Sequence, residues 1–161
     1  MDEIYLASGL GFSATTRDAI ARIKLQLENA GFQVFEPFVD SEDLGEEISR
    51  LLREERDFDI LKKRLGEINQ EIGKRNADAI DEARAIVAVL DGGLDVDSGV
   101  AAEIGYGAGR GKKIVGLRTD FRCGGENPGS AVNLQVEYFI KKSGGVIVCD
   151  LDALVIVLEG I

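Results

Sequence analysis

Apolar and polar positions along this chain follow two patterns, short apolar runs and longer stretches with helical spacing. The run from Ala85 to Leu90 is apolar throughout, which is typical of a buried parallel strand. Between Ala19 and Leu27, apolar side chains instead recur every three or four residues, which predicts a helix. The predicted strands are 4–7, 33–35, 85–90, 113–117 and 146–148; the predicted helices run from a cap at Ser13 to about Asn29, over 60–84 with a candidate break at Gly66 or Gly73, over 100–109, over 131–142, and from a cap at Asp150 to Gly160.

The order of these elements indicates the fold class. Strands that alternate with helices are typical of an open, mostly parallel sheet with helices on both faces. We therefore predict a five-stranded α/β fold of the flavodoxin-like, Rossmann-like class, and 161 residues fit a single domain over 1–161. Ligands of such sheets bind at the carboxyl ends of strands, so we expect a site after Ala7, Leu90 and Leu117.

The segment from residue 40 to residue 59 is strongly acidic. A charge run of this kind is usually a solvated helical face with an adjoining loop, which is the interpretation we favour. The alternative is a lid over a binding site.

The composition removes several classes of chemistry. The absence of histidine excludes Ser-His-Asp triads, Cys-His pairs and His-ligated metal sites. Cys123 and Cys149 lack a metal-binding or redox spacing, and two free thiols suit a reducing, cytoplasmic location. The net charge of −10 disfavours nucleic acid as a partner. Neither a signal peptide at the acidic start, Met1-Asp2-Glu3, nor a membrane span is indicated, so no membrane partner is expected.

The loop after the run from Ala85 to Leu90 carries the strongest chemical signal. It reads DGGLDVDSG over residues 91–99, and the helix that follows delivers Glu103 near its first turn. A helix N-terminus favours an ionised carboxylate, and an ionised Glu can act as a nucleophile toward a sugar carbon. The alternative is an ordinary Gly- and Asp-rich turn, followed by a Glu that only complements the helix dipole.

The same loop does not match a calcium-binding loop. An EF-hand requires Gly at its sixth position and Glu at its twelfth. Counted from Asp91, these positions hold Val96 and Ala102, so no metal site is predicted.

The stretch from Ala85 to Val115 closely resembles the nucleoside 2-deoxyribosyltransferase family, which carries a D-S-G-T-x-x-E-I-G-Y-A motif after a buried strand. The chain reads DSGVAAEIGYG here, with Val100 where Thr is common and Gly107 where Ala is common. The opening strand with Phe12-Ser13 and the late pair Asn133-Leu134 are similar to further family motifs, although Ser8-Gly9 replaces the usual Gly-Pro.

The resemblance implies roles for individual residues. Glu103 matches the nucleophile that forms a covalent deoxyribosyl-enzyme, and Asp97 matches a carboxylate that binds the sugar or base and assists proton transfer. Tyr5 matches a hydroxyl that hydrogen bonds to the nucleophile. Asn133 matches a residue that reaches into a neighbouring subunit's site, which implies a homo-oligomer of at least two subunits with shared active sites.

Further substrate-binding candidates come from the same resemblance and from the strand-end loops. Ungapped alignment puts Asn76 at the position of a family carboxylate that is sometimes Asn, with Asp78 nearby. Instead of a functional role, Tyr5 and Phe12 could simply pack in the core, and Asn133 could be an ordinary helix surface residue. The remaining candidates are Ser98, Gly9, Phe12 and Ser13.

The resemblance implies a retaining transfer of 2-deoxyribose between nucleobases, with 2′-deoxynucleosides and nucleobases as small-molecule partners and no metal or organic cofactor. One alternative is hydrolysis of a 2′-deoxynucleoside 5′-monophosphate, for which backbone amides and hydroxyls between Ser8 and Arg17, with Ser98, would bind the phosphate. Another is a nucleotide-binding module without catalysis. Purine or pyrimidine preference and subunit number stay open.

Overall fold

Five parallel strands form the centre of the protein in a computed structural model, which describes residues 3–161. Met1 and Asp2, at the acidic start of the sequence, lie outside the described residues. The strands are β1 (Glu3–Ala7), β2 (Gln33–Phe35), β3 (Ala85–Val89), β4 (Lys113–Leu117) and β5 (Ile147–Val148), in the order β2-β1-β3-β4-β5. This is the predicted flavodoxin-like order, with its switch point between β1 and β3.

Within the described residues, seven α-helices connect and cover these strands, and a short 3-10 turn over Leu10–Phe12 follows β1. None of the helices between residues 3 and 161 combines the length and the apolar character that crossing a membrane requires. The helices are α1 (Arg17–Asn29), α2 (Pro37–Asp40), α3 (Glu42–Glu54), α4 (Phe58–Glu82), α5 (Ser98–Gly109), α6 (Leu134–Lys142) and α7 (Leu151–Glu159).

The sheet separates two apolar clusters, because successive side chains of a strand point to opposite faces. In β1, Ile4 and Leu6 pack with α1 and α7, whereas Tyr5 and Ala7 pack with α4, α5 and α6. All five residues of β3 are buried, as expected for a strand covered on both faces. The helices therefore lie on both faces as predicted, and Tyr5 is directed toward α5.

Two predicted helix starts were wrong. Ser13 does not cap α1, because its carbonyl accepts the amides of Thr16 and Arg17 in a separate turn before the helix begins at Arg17. The helix predicted from 131 begins at Leu134, where the Oδ1 atom of Asn133 accepts the amides of Gln135 and Val136.

Helix α4 runs unbroken for 25 residues through both candidate breaks. Gly66 and Gly73 are exposed, and a helical glycine costs only about 1 kcal/mol relative to alanine. Burial of Ile68, Ala79 and Ile80 on the opposite side of the helix offsets this cost.

The acidic segment forms α2, α3 and the loop before α4. Its carboxylates pair with arginines of α4: Arg75 makes a bidentate contact with Asp43 at 2.8 and 3.0 Å, and Arg64 lies 3.0 Å from Glu47. Leu44 is the one buried residue of α3, so this helix contacts the rest of the protein mainly through one side. This agrees with a solvated helical face, and the inner side of α3 also lines the cavity described next.

Candidate active site

Tyr5 and Glu103 meet where β1 lies under α5. The Tyr5 side chain is fully buried, and its hydroxyl donates a 2.7 Å hydrogen bond to Oε1 of Glu103. Glu103 is the sixth residue of α5 and is half-buried. The Tyr5 ring also stacks on Phe35 of β2 at 5.7 Å between centroids, which fixes the direction of its hydroxyl.

Burial raises the pKa of Glu103 to about 7, and the negative charge of Asp97 adds to the rise. The hydrogen bond from Tyr5 acts in the opposite direction, because it stabilises the ionised carboxylate. The sequence predicts that the N-terminus of the helix favours the ionised form of Glu103. Glu103 instead lies in the second turn, where the dipole effect has declined and desolvation dominates.

Asp97 caps helix α5. Its Oδ1 atom accepts the amide hydrogens of Gly99 at 2.9 Å and Val100 at 3.1 Å, so Oδ2 takes no part in the cap. Gly9 lies against this side chain: a Cβ atom at Gly9 would come within 3.0 Å of Asp97 Cβ and 3.1 Å of its Cγ. The absence of a side chain at Gly9 therefore allows Asp97 its position beside Glu103.

A cavity of about 580 Å³ opens over the two carboxylates. Its size falls in the range of small-molecule sites. Of the described residues that line it, none is Lys or Arg. The apolar lining is Phe12, Pro37, Phe38, Ile48, Ile72 and Val100, and the polar lining is Ser8, Ser41, Asn69, Asn76, Asp97, Ser98 and Glu103, with Gly45 and Gly99 completing the wall.

A larger cavity of about 1150 Å³ lies between α1 and α3. Its walls mix cations such as Arg17 and Arg53 with acids such as Glu28 and Glu46, and neither Asp97 nor Glu103 reaches it. Size alone is therefore a poor guide here, and the chemistry favours the smaller cavity. Between residues 3 and 161, no group of three or more His, Cys, Asp or Glu side chains is arranged to hold a metal ion.

A family model for nucleoside 2-deoxyribosyltransferases matches residues 4–135. This range includes β1, β3, the loop that ends at Asp97, and Glu103 in α5. The chain belongs to the nucleoside 2-deoxyribosyltransferase family. Members of this family act on N-glycosidic bonds. No curated protein sequence matches the chain significantly.

Solved structures share the fold of this deoxyribosyltransferase family member. A conserved protein from Enterococcus faecalis V583 is 22% identical over 99% of this chain and 98% of its own, with a TM-score of 0.69. A 2-deoxyribosyltransferase from Bacillus psychrosaccharolyticus is 19% identical over 94% and 89%, with a TM-score of 0.65. A CMP N-glycosidase from Clostridium botulinum is 20% identical over 98% and 99%, with a TM-score of 0.55.

The predicted site residues of this family member line the cavity, contact a residue that lines it, or lie away from it. Glu103, Asp97, Ser98, Phe12 and Asn76 line the cavity. Tyr5 contacts Glu103 from below, and Gly9 packs against Asp97. The residues outside the cavity are Asp78, which pairs with Lys74 on the exposed side of α4, Ser13, whose hydroxyl lies 2.8 Å from that of Thr15 on an exposed loop, and Asn133, which caps α6.

Sequence reasoning missed the wall that α2 and α3 contribute. Phe38 packs edge to face on Phe12, with ring centroids 4.7 Å apart, and Ile48 adds an apolar surface from α3. Ser41, between the two helices, also lines the cavity. The one signal available was the acidic run, for which a lid was the second interpretation.

Sequence reasoning also missed how the loop before Asp97 is held. Arg118 is 4% exposed and donates to the carbonyl oxygens of Leu90 at 2.6 Å and Gly93 at 3.2 Å. In return, Asp91 accepts the Thr119 amide at 3.0 Å and the Thr119 hydroxyl at 2.6 Å. A cation from one loop and an anion from the other thus tie together the segments that follow β3 and β4.

Proposed function

We propose that this chain is a nucleoside 2-deoxyribosyltransferase that moves 2-deoxyribose between nucleobases with retention of configuration. The observation that carries the proposal is the Glu103 carboxylate, which Tyr5 holds in a cavity of nucleoside size. A half-buried carboxylate with a fixed partner is suited to attack an anomeric carbon.

In the first step, Oε2 of Glu103 attacks C1′ of the donor nucleoside while Tyr5 retains Oε1. The bond between C1′ and the base nitrogen breaks, its electron pair leaves with the base, and a proton reaches the base from Asp97 or from water. The charge that develops on the sugar is positive, and Asp97 adds a stabilising negative charge when the proton comes from water, or once its own proton has moved to the base.

In the second step, a ring nitrogen of the acceptor base attacks C1′ of the glycosyl-enzyme. The ester bond to Glu103 breaks, the proton of that ring nitrogen passes to Asp97 or to water, and the Glu103 carboxylate regains its negative charge and its hydrogen bond from Tyr5. Two inversions give net retention, and the two half-reactions give ping-pong kinetics.

The charge of the cavity supports a neutral nucleoside as donor. Asp97 and Glu103 are acidic, and the described lining residues include no cation to pair with a phosphate. Some donors of the loop after β1 are already used: the Leu10 amide donates to the Ser8 hydroxyl, the Thr16 hydroxyl donates to the Leu10 carbonyl, and Nε of Arg17 donates to the Gly11 carbonyl.

Hydrolysis of a 2′-deoxynucleoside 5′-monophosphate is the second candidate. The observation that favours it is the shared fold of the Clostridium botulinum CMP N-glycosidase. The same glycosyl-Glu103 ester would form, and water would take the place of the acceptor base.

Product analysis tests both candidates. The donors are 2′-deoxyadenosine, 2′-deoxyinosine, thymidine and 2′-deoxyadenosine 5′-monophosphate, each with and without a second free base. A new nucleoside that forms only with the acceptor base identifies the transferase. Free base released from the monophosphate without an acceptor identifies the hydrolase, and no cleavage of any donor contradicts both.

The role of Glu103 has its own test. Mass spectrometry of the protein after incubation with donor alone should detect one added 2-deoxyribosyl group. Glu103→Ala should lack it, whereas Glu159→Gln, a control on the exposed surface of α7, should retain it. An adduct that persists in Glu103→Ala would place the nucleophile elsewhere.

We also propose a homo-oligomer in which Asn133 completes the site of a neighbouring subunit. Asn133 is exposed and lies outside the cavity of its own subunit, which supports this role. Asn133→Asp keeps the Oδ1 cap of α6 and removes the amide donor, which within its own subunit donates to Oε1 of Glu126 at 2.7 Å. A mixture of inactive Glu103→Ala and impaired Asn133→Asp subunits should recover activity, and no recovery after subunit exchange contradicts a shared site.

A further inference from the structure

The Ser41 hydroxyl is polar, buried and without a protein partner. Ser41 is 6% exposed, and its Oγ atom makes no hydrogen bond within the part of the chain that the structure describes. A serine at the start of a helix normally accepts an amide hydrogen with its hydroxyl. Here the amides of Leu44 and Gly45 donate to the Ser41 carbonyl instead, each at 3.1 Å. The helix therefore does not account for the hydroxyl.

The surroundings of Ser41 suggest what its partner is. Ser41 lines the cavity above Glu103, where the Oδ1 atom of Asn76 is a second buried polar atom without a partner. Buried polar groups in proteins are nearly always hydrogen bonded, so two orphan atoms on side chains that line one cavity indicate a bound molecule that supplies the missing bonds.

The distribution of side chains indicates which part of a nucleoside lies near Ser41. The anomeric carbon must lie at Glu103, and α5 contributes Asp97 and Ser98 on that side. Helices α2 and α3 contribute Phe38 and Ile48, which are apolar surfaces suited to the flat face of a base. A polar atom among apolar walls is suited to the edge of that base.

We propose that Ser41 is a substrate-binding residue that hydrogen bonds to the exocyclic group of the nucleobase and so determines which base the cavity accepts. The inference rests on the proposed nucleoside substrate. Rotation about the single χ1 bond of serine turns the hydroxyl toward the cavity and leaves the helix start unchanged. Because a hydroxyl both donates and accepts, it can serve an amino or an oxo group.

A cycle of paired substrates and variants tests the proposal. The donors are 2′-deoxyadenosine and purine 2′-deoxyriboside, which lacks the 6-amino group; 2′-deoxycytidine and its analogue without the 4-amino group serve if the wild type prefers pyrimidines. Ser41→Ala should lower kcat/KM about three- to ten-fold for the amino donor and leave that for the analogue within about two-fold. Ser49→Ala, an exposed serine on α3 that lies outside this cavity, should change neither.

Equal losses on both donors would show a purely structural role for Ser41 and overturn the proposal. Thermal unfolding gives an independent readout. Because the hydroxyl makes no capping bond, Ser41→Ala should have a Tm no lower than that of the wild type. A clear drop in Tm would mean that the hydroxyl caps α3, which also overturns the proposal.

Calorimetric binding of free adenine and of unsubstituted purine, or of the matching pyrimidine pair, separates this inference from the proposed function. Ser41→Ala should abolish the preference for the amino base whether or not the enzyme turns over. Base binding that depends on Ser41, without any glycosyl transfer, would uphold the inference and reject the transferase. Transfer activity together with equal affinity of the wild type for both bases would uphold the transferase and reject the inference about Ser41.

Discussion

The Tyr5 hydroxyl and the Glu103 carboxylate lie 2.7 Å apart although 98 positions separate them in the chain. Tyr5 extends from β1 and Glu103 from α5, so the pair forms only when the helix packs over the carboxyl end of the strand. The hydrogen bond partly counters the desolvation of Glu103, because it stabilises the charged form of a half-buried acid. The strength of this bond therefore affects both the direction and the ionisation of the proposed nucleophile.

Tyr5→Phe should keep the fold and weaken the chemistry. The ring still packs under α5 and stacks on Phe35, but the carboxylate loses its donor. We expect kcat/KM to fall about ten- to hundred-fold, as for loss of a hydrogen bond to a charged group. The pKa of Glu103 should rise, so the acid limb of the pH profile should shift upward.

The control for this variant is Tyr138→Phe, which removes an exposed hydroxyl from α6. Its kcat/KM and its pH profile should match those of the wild type. An unshifted acid limb in Tyr5→Phe would contradict the coupling between Tyr5 and Glu103.

The pH dependence of activity follows from the same carboxylate. Its pKa of about 7 in the free enzyme leaves much of Glu103 protonated below neutral pH, and a protonated acid is a poor nucleophile. In a plot of kcat/KM against pH, activity should therefore rise through about pH 7. An acid limb at the ordinary pKa of a glutamate, near 4.5, would show that Glu103 is better solvated than its burial implies.

Glu103→Gln should change how stability depends on pH. The folded protein binds a proton at Glu103 more tightly than the unfolded chain does, so the contribution of Glu103 to the free energy of unfolding decreases as pH rises from 4.5 to about 7. Glutamine does not titrate. We therefore expect the stability of Glu103→Gln, measured relative to the wild type, to be up to about 3 kcal/mol greater at pH 8 than at pH 4.5.

Urea denaturation of both proteins at the two pH values checks this, and taking the difference cancels the titration of every other group. A variant that is less stable relative to the wild type at high pH than at low pH would reverse the sign and contradict a raised pKa.

The fold and half of the site could be predicted because their signals are local. An uninterrupted apolar run predicted β3. The DSG sequence at residues 97–99, followed by Glu103, predicted carboxylates at the carboxyl end of that strand. Their meeting with Tyr5 was implied by the family resemblance and not by any pattern within the chain.

The remaining parts depend on contacts between distant segments. Ser41 lies near the start of the acidic segment, where its sequence context predicts a helix cap, and only the packing of α3 beside α4 gives it a cavity to line. Arg118 reads as a polar residue after a strand, although it is one of the buried polar groups of the protein. The starts of α1 and α6 were predicted wrongly for a related reason. The turns before these two helices contain residues that are equally good helix caps.

Gly9→Ala should impair catalysis without unfolding the protein. The backbone of Gly9 has φ −82° and ψ −6°, a negative φ that is open to alanine, so the main effect of the change comes from its new Cβ atom. That atom would lie 3.0 Å from Asp97 Cβ, which is too close for an ordinary contact and should displace the Asp97 side chain. We expect at least a ten-fold lower kcat/KM, on the order of the cost of a small misplacement in an active site, with Tm nearly unchanged.

Gly66→Ala is the matched control. A Cβ atom there meets nothing within 4 Å, so activity should be unchanged and the free energy of unfolding should rise by about 0.5–1 kcal/mol. Full activity of Gly9→Ala would contradict the view that close approach of Gly9 positions Asp97.

Arg118→Met should loosen the loop that leads to Asp97. The substitution preserves an apolar stem and leaves the carbonyl oxygens of Leu90 and Gly93 without their donor. Loss of a buried partner costs about 1–3 kcal/mol, so we expect the free energy of unfolding to fall by that amount. Arg118→Lys keeps the charge but cannot reproduce the planar set of donors, and it should recover only part of the loss.

The distinguishing measurement is hydrogen exchange at the amides of Gly99 and Val100, which donate to Asp97. If Arg118 acts through the loop, these amides should exchange faster in Arg118→Met even where the protein stays folded, and kcat should fall more than affinity for the donor. Arg122→Met removes a neighbouring guanidinium that is exposed and pairs with Asp120, so it should leave both quantities unchanged. Equal exchange rates at Gly99 and Val100 in both variants would limit Arg118 to a role in stability alone.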